Sequence, residues 1–317
     1  MPLDPDAETL LAMMRAAGRP PFDALTPEEA REAFRAGRAV TQPEPQDVGE
    51  VWDLSCPGPA SAIKLRAYRP LGSTAHEILP ALVYFHGGGW MLGDLDSHDV
   101  ACRHYANRAG CRVVSVDYRM APEHKFPAAV DDCAAATRWI LAQAGMLGID
   151  SGRVAVGGDS AGGNLAAVMA LMARDWEVPP LALQLLVYPA TDLAMTHGSY
   201  QRVTDGLMLT SKTMAWFIEH YLRGPQDRCD WRASPLRAAD LSGAARALVL
   251  TCFHDPLCDE GTAYARRLES EGVRMTHLHF SDQAHGFLGQ GRIIRAGNMA
   301  LDMASAVLRN ALWPPQG

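Results

Sequence analysis

The stretch Arg153-Val-Ala-Val-Gly-Gly-Asp-Ser-Ala-Gly-Gly-Asn164 predicts a strand that passes through a sharp turn into a helix. Its first five residues are mostly apolar, as in a buried strand, and residues 163–172 have the composition and spacing of a helix. Between them Ser160 stands in a Gly-x-Ser-x-Gly frame, where the glycines permit a tight turn that exposes a serine hydroxyl above a sheet. The stretch therefore predicts a nucleophile elbow at Ser160.

A second motif, His86-Gly-Gly-Gly-Trp90, lies about seventy residues before the elbow and follows the strand pattern Leu79–Phe85. It too is expected at the carboxyl end of a strand, where α/β sheets bind their ligands. Its glycines offer bare backbone N–H groups, although a flexible turn is the alternative interpretation. We expect His86 to brace this loop, together with Gly89, through hydrogen bonds instead of carrying protons. The two motifs together predict an acyl-transfer site.

A serine nucleophile needs a histidine to take its proton and an acid to orient that histidine. Two candidates each follow a predicted strand: Asp255 comes after Leu248–Phe253, and His285 comes after Thr276–Phe280. Both would lie at the same sheet edge as Ser160, in the chain order serine, acid, histidine. Other acids and one other histidine remain as alternatives in the same regions: Asp259, Glu260, Asp282 and His254.

The composition excludes several function classes. The chain has 317 residues, 48% of them hydrophobic, and a formal net charge of −7, which gives no basic field for nucleic acid. No apolar run reaches the roughly 20 residues that a membrane span needs, and the acidic amino terminus does not resemble a secretory leader. Seven scattered cysteines indicate a reducing, cytoplasmic location, with a Cys252–Cys258 bridge as the alternative. His277 and His279 share a strand face but lack a third ligand, so we expect no metal and no cofactor.

The order of predicted elements indicates an α/β fold with a mostly parallel central sheet, flanked by helices and covered by a helical cap. Residues 1–45 are predicted to form cap helices, with Thr26 and Glu29 as a capping box and Gly37 ending the second helix. Residues 46–190 and 237–317 would form the two parts of the core, and residues 191–236 a cap insertion. Residues predicted to line an acyl pocket beneath the cap are Trp90, Asp159, Met208, Trp216 and Phe217, with Met13, Met14 and Met214 as further cap candidates; packing between helices is the alternative role.

These motifs resemble those of the hormone-sensitive-lipase-like carboxylesterases, bacterial family IV of the α/β hydrolases. The resemblance spans most of the chain and extends to these segments: Gly93–His98, Asp117–Pro127, Tyr188-Pro189, Asp255-Pro-Leu257 and His285-Gly-Phe287. It implies Ser160, Asp255 and His285 as a catalytic triad, and the amides of Gly87, Gly88 and Ala161 as the oxyanion hole. Phe253-His254 and Cys258, on either side of Asp255, depart from the family pattern.

The resemblance further implies a helical cap, short-to-medium acyl esters as substrates, and a homodimer. The sequence thus predicts a serine carboxylesterase that acts on a small-molecule ester through an acyl-enzyme. Two alternatives stay open: the same triad acting on amides, lactones or carbonates, and a non-catalytic ligand-binding relative.

Overall fold

A single eight-stranded sheet forms the centre of the computed structural model, which describes residues 1–314. The strand order is β1-β2-β4-β3-β5-β6-β7-β8. Strand β2 pairs antiparallel with β1 and β4, and every other neighbouring pair is parallel, which confirms the predicted mostly parallel sheet. The strands are β1 (Glu50–Cys56), β2 (Ile63–Arg69), β3 (Leu79–Phe85), β4 (Arg112–Asp117), β5 (Ile149–Asp159), β6 (Leu183–Val187), β7 (Ala247–His254) and β8 (Met275–Ala284).

Helices cover both faces of the sheet. Successive side chains of β3 point to opposite sides: Leu82 and Tyr84 pack in the cluster that contains residues of α3 and α9, and Val83 packs in the cluster with residues of α4, α5 and α8. Burial on both faces explains the continuous apolar sequence of this strand. The helices are α1 (Pro5–Ala16), α2 (Pro27–Thr41), α3 (Asp99–Ala109), α4 (Ala128–Ala142), α5 (Ala161–Met172), α6 (Ser199–Arg202), α7 (Ser211–Tyr221), α8 (Cys258–Ser270) and α9 (Arg295–Leu312).

Two strands run further than their sequence patterns predict. Pairing with β6 carries β5 to Asp159, opposite Val187, and pairing with β7 carries β8 to Ala284. Backbone pairing sets these ends, whereas the apolar pattern stops earlier because the last residues are small or polar. As a result, Ser160 and His285 each follow directly on the end of a strand.

Helix α2 also differs from the prediction. Thr26 and Glu29 form the expected capping box, with the Thr26 N–H 2.9 Å from Glu29 Oε2. Gly37, however, does not end the helix, which continues for another turn to Thr41. A lone glycine costs a helix only about 1 kcal/mol relative to alanine, so tertiary contacts easily override it. The extra turn carries Arg38 toward the sheet edge.

The amino-terminal segment and the segment after β6 contact each other above the carboxyl edge of the sheet. The Phe22 and Phe217 ring centroids are 6.4 Å apart, and Asp23 accepts a hydrogen bond from Thr213 Oγ1 at 2.7 Å. Lys212 Nζ lies 2.8 Å from the same carboxylate. Across residues 1–314, no helix is both long enough and apolar enough to cross a membrane.

Candidate active site

Ser160 occupies a strained turn between β5 and α5. Its φ is 56°, in the left-handed region that non-glycine residues rarely adopt, and its N–H donates to Val187 O at 2.8 Å. A Cβ on Gly158 or on Gly162 would collide with Phe85 O, because the turn packs against the end of β3. The glycines of the elbow are therefore needed for close backbone approach, and the strain presents the serine hydroxyl above the sheet.

Ser160, His285 and Asp255 form a continuous hydrogen-bonded chain. Ser160 Oγ lies 2.9 Å from His285 Nε2, and His285 Nδ1 lies 2.7 Å from Asp255 Oδ2. Asp255 is fully buried, while Ser160 and His285 keep 9% and 8% of their surface exposed toward the cavity. Because an ionised carboxylate only accepts hydrogen bonds, this arrangement places the imidazole proton on Nδ1 and leaves Nε2 free to accept the serine proton.

Two further donors hold the Asp255 carboxylate. Oδ1 accepts the N–H of Leu257 at 2.8 Å, and the buried Cys252 thiol lies 3.4 Å from Oδ2. Cys252 and Cys258 are both free thiols, so the alternative of a bridge between them is excluded. Together with His285 Nδ1, three donors thus orient the carboxylate.

The rival acids are engaged elsewhere. Asp259 lies 3.2 Å from Arg202, and Glu260 Oε1 accepts the backbone N–H of Thr191 at 2.7 Å. The Asp282 carboxylate has a long contact of 3.4 Å with Gln283 Nε2. His254 Nε2 is buried and has no partner within residues 1–314. Of the candidate acids, Asp255 is the one that hydrogen-bonds to His285.

Glu260 is expected to make the stability of the protein pH-dependent. Burial raises the pKa of its carboxyl to about 8, although the N–H groups of Thr191 and Asp192 oppose the shift. The folded state thus holds a proton that the unfolded state releases above its normal pKa. This contribution is complete at acidic pH and is lost as pH rises toward 8, at about 1.4 kcal/mol per pH unit at most.

Replacing Glu260 with glutamine should therefore flatten the fall of Tm between pH 5 and about 9, because the amide stays neutral throughout. The measurement is Tm by scanning fluorimetry across that range. Asp259→Asn, at the neighbouring residue of the same helix, is the control and should follow the wild-type slope. Parallel curves for wild type and Glu260→Gln would contradict this expectation.

The oxyanion loop requires a correction. Gly87 was expected to supply one of the oxyanion amides, but its N–H donates to Asp159 Oδ1 at 3.0 Å. In residues 1–314 the N–H groups of Gly88 and Gly89 have no protein acceptor. Ala161, at the first position of α5, has no intrahelical partner for its own. The amides available for an oxyanion are therefore those of Gly88, Gly89 and Ala161.

Glycine is needed along this loop for steric reasons. Gly88 has a φ of 117° and Gly89 a φ of 61°, both in the region that favours glycine. A Cβ on Gly89 would overlap the Phe217 ring, and one on Gly88 would collide with Leu92 O. The three-glycine run thus allows the loop to line the same cavity as Ser160 while the α7 aromatic packs on it.

His86 supports the loop from beneath. Its ring stacks on Tyr118 at 4.3 Å between centroids, and its Nδ1 lies 3.0 Å from Gly87 O. Burial, helped by the neighbouring His98, lowers the pKa of His86 to about 4. A neutral buried ring in this position fits the bracing role that we expect for it, not proton transfer.

Asp159 was expected to line the pocket, and it does. Its carboxylate Oδ1, however, makes contacts within the protein. Besides the Gly87 N–H, Oδ1 accepts the Tyr84 hydroxyl at 2.7 Å and lies 3.4 Å from His98 Nε2. Burial would raise the pKa of Asp159, but His98, the charge of Arg38 and the Tyr84 hydrogen bond outweigh it and lower the pKa. Asp159 thus ties the oxyanion loop to the strand that carries the nucleophile.

A largely apolar cavity of about 160 Å³ opens beside Ser160 and His285. Of the predicted residues, Trp90, Met208 and Phe217 line it, whereas Trp216 does not. Adjacent helical residues point in different directions, so α7 presents Phe217 to the cavity and packs Trp216 against His220 at 4.7 Å. Among the methionine candidates, Met14 and Met214 line the cavity and Met13 is 46% exposed.

Several lining residues were not predicted, most of them from the amino-terminal segment: Arg19, Phe22, Phe34, Arg38 and Tyr188. The sequence of α2 did not predict that it lines a cavity, because a helix with many charged residues is expected to be solvent-exposed.

No cluster of three or more His, Cys, Asp or Glu side chains in residues 1–314 is placed to hold a metal ion. His277 Nε2 and His279 Nδ1 instead share Thr251 Oγ1, at 2.8 Å and 2.9 Å.

Comparison with known proteins gives the same picture as the geometry. A family described as having the alpha/beta hydrolase fold matches residues 82–289. The carboxylic ester hydrolase LipN of Mycobacterium tuberculosis is 45% identical over 90% of this chain and 77% of its own length. An ethyl acetate hydrolase of Pseudomonas putida is 39% identical over 98% of this chain and all of its own. The crystal structure of a serine-to-alanine mutant of LAE6, an alpha/beta hydrolase from the metagenome of Lake Arreo, superposes with a TM-score of 0.93 at 42% identity, covering 97% of this chain and 98% of that one.

The family match covers well over half of the chain, and the relatives cover nearly all of it. The chain therefore belongs to the hormone-sensitive-lipase-like branch of the α/β hydrolases and is a carboxylic ester hydrolase.

Proposed function

We propose that this protein hydrolyses carboxylic esters of short-to-medium acyl chains in two steps, with Ser160 as nucleophile, His285 as general base and acid, and Asp255 as the orienting acid. The observation that carries the proposal is the unbroken chain from Ser160 Oγ to His285 and on to Asp255, with contacts of 2.9 Å and 2.7 Å. Such a chain activates a hydroxyl that is a weak nucleophile on its own.

In the first step Ser160 Oγ attacks the ester carbonyl while His285 Nε2 takes its proton. The carbonyl oxygen becomes an oxyanion that accepts hydrogen bonds from the amides of Gly88, Gly89 and Ala161. His285 then gives its proton to the departing alcohol, and the acyl group remains on Ser160. In the second step a water molecule, deprotonated by His285, attacks the acyl carbon; the bond to Ser160 Oγ breaks, the acid leaves, and His285 returns the proton to Ser160. Each preorganised amide donor is worth a factor of about 10²–10³ in turnover.

The size of the cavity supports a short acyl group. Its volume of about 160 Å³ is close to that of the roughly 150 Å³ apolar cavities that hold a benzene ring. The buried side chains of Trp90 and Phe217 form the wall of the cavity next to Gly89 and limit its width there. The relative from Pseudomonas putida is named for ethyl acetate, which is a small ester. A long acyl chain would have to extend beyond the cavity or displace the cap.

The test is hydrolysis of p-nitrophenyl esters from acetate to palmitate. We expect kcat/KM to be highest between acetate and octanoate and to fall at least about tenfold for laurate and palmitate, since each methylene without a pocket loses about 0.8 kcal/mol of burial. A p-nitrophenol burst on the best substrate would report the acyl-enzyme. Undiminished activity on palmitate would contradict the acyl range, and absence of turnover on every ester would contradict the proposed function. The matching p-nitroanilide shows whether amides are cleaved as well.

The proposal also covers the cap, the cellular location and the oligomeric state of the enzyme. Residues 1–45 and 191–236 act as a cap over the core formed by residues 46–190 and 237–317, supported by the contacts of Phe22 and Asp23 with α7. Seven unpaired cysteines support a cytoplasmic location. A homodimer, implied by the family, stays a prediction that sedimentation velocity would measure.

A further inference from the structure

Arg38 is a buried cation on the wall of the cavity that contains Ser160. It keeps only 8% of its surface exposed and lies on the last turn of α2. We infer that Arg38 binds a carboxylate of the substrate, so that the preferred esters carry a second, ionised carboxyl group besides the ester that is cleaved. This inference rests on the proposed function and narrows its substrate class to half-esters of dicarboxylic acids and acyl esters of hydroxy acids.

The guanidinium forms no salt bridge within residues 1–314, although its charge helps to stabilise that of Asp159 from a greater distance. Within residues 1–314 no carboxylate oxygen lies within 4.0 Å of its nitrogens, and its Nε is buried without a hydrogen bond. Two half-buried arginines of other segments do form salt bridges: Arg119 meets Asp132 at 2.7 Å, and Arg31 meets Glu123 at 2.6 Å. An unpaired buried charge is costly, so Arg38 is in the state that a bound anion would stabilise.

The one side-chain hydrogen bond of Arg38 in the described chain is to His98, whose ring nitrogen also has a second partner. Its Nη2 lies 3.3 Å from His98 Nε2, and the same ring nitrogen lies 3.4 Å from Asp159 Oδ1. Nε2 can accept from Arg38 only when it carries no proton, and it can donate to Asp159 only when it does. Whichever contact His98 makes, the guanidinium keeps donors that the protein leaves free.

Asp159 is the one carboxylate among the residues that line the cavity, and the charge of Arg38 is among those that stabilise it. Of the residues that line the cavity, Arg19, Arg38 and Asp159 carry formal charges. The contacts of Asp159 with Tyr84, Gly87 and His98 all involve its Oδ1, no salt bridge joins it to Arg38 within residues 1–314, and Arg19 stands exposed at the rim beside Gly37. Most of the remaining wall is apolar, and Phe34 packs 5.1 Å from the Arg38 guanidinium. In such surroundings a charge-assisted hydrogen bond to a carboxylate is stronger than in water.

The carboxylate that binds Arg38 is a second one, already present in the substrate, and not the carboxylate that hydrolysis forms. The carboxylate released by hydrolysis forms at Ser160, in the oxyanion site, whereas Arg38 occupies a different part of the wall, in contact with His98 and Gly289. A substrate that bridges the two positions would place its ester at Ser160 and its free carboxylate at the guanidinium. Neutral esters would lack this anchor but would still reach the triad.

The experiment compares esters that differ only in charge. The pairs are monoethyl adipate with its neutral amide, and 4-acetoxybutanoate with its amide, followed by pH-stat. We expect wild type to prefer the acid of at least one pair by tenfold or more in kcat/KM, mainly through KM. In Arg38→Met the preference should fall to about one. Because each ratio is taken within one enzyme, any general loss of activity cancels.

Arg35→Met is the matched control, since Arg35 lies one turn earlier on α2 and its side chain is 55% exposed; it should keep the wild-type ratio. Arg38→Lys keeps the charge and should keep part of the preference. If Arg38→Met fails to fold, the lysine variant and competitive inhibition of wild type by adipate, compared with its diamide, give the same answer.

A wild-type ratio near one for both pairs, or an unchanged ratio in Arg38→Met, would overturn the inference. Hydrolysis of neutral esters without any preference for the acids would refute only this inference. Loss of all ester hydrolysis would refute the proposed function instead.

Discussion

Replacing Ser160 with alanine should lower the turnover of p-nitrophenyl acetate by about 10⁵-fold or more, the largest effect expected of any single substitution in this chain. The hydroxyl makes one side-chain contact in the described structure, to His285 Nε2, so its removal leaves the fold and the cavity intact. The oxyanion amides stay in place, and a small residual rate above that in water should persist. Steady-state kinetics and the p-nitrophenol burst, which should vanish, measure the effect.

A second buried serine provides the control. Ser305 is 1% exposed on α9, and its Oγ has no hydrogen-bond partner within residues 1–314. Ser305→Ala should retain wild-type turnover, and circular dichroism should show both variants folded. More than about 1% of wild-type activity in Ser160→Ala, after contamination is excluded by active-site titration, would remove Ser160 from the role of nucleophile.

Much of the fold could be predicted because the central strands are short and almost wholly apolar. A strand such as β3, buried on both faces, leaves little doubt about its position, and each helix that follows has its own periodicity. The order of the site was predictable for the same reason. Once the strands are placed, loops that follow parallel strands must meet at one edge, which brings Ser160 and His285 together.

What the sequence could not predict depends on the direction of individual side chains. Asp159 decides which two of the three consecutive glycine amides are free, because its carboxylate accepts the Gly87 N–H. The acid beside the nucleophile was the available signal, since a buried carboxylate must find donors. The choice between Trp216 and Phe217 depends on the rotation of α7 about its axis, which two adjacent aromatics do not fix.

The cap was the least predictable part of the site. Gly37 predicts the end of α2, and the arginine after it would then be expected in solvent. Only the contacts of the last turn with His98 and Gly289 place Arg38 inside. Specificity therefore depends on the region where sequence patterns are weakest, while the chemistry depends on the region where they are strongest.

Asp255→Asn should reduce kcat by about 10⁴-fold and leave KM within a few fold, because the substitution changes the tautomer of His285 and not the substrate cavity. The Leu257 N–H, 2.8 Å from Oδ1, selects the orientation of the new amide: the oxygen must stay at Leu257, which turns the NH₂ group toward His285 Nδ1. Two donors cannot face each other, so the imidazole proton moves to Nε2 and the ring no longer accepts the serine proton. Steady-state kinetics on p-nitrophenyl acetate measure both constants.

The neighbouring loop offers a matched control. Asp282→Asn removes a carboxylate three residues from His285 whose one side-chain contact in residues 1–314 is at 3.4 Å, and it should leave kcat unchanged. Turnover of Asp255→Asn near the wild-type level would show that another group orients His285, and loss of activity in Asp282→Asn would point to that rival acid. The two variants together separate an acid that sets a tautomer from one that only adds charge near it, because only the first is tied to a ring nitrogen at 2.7 Å.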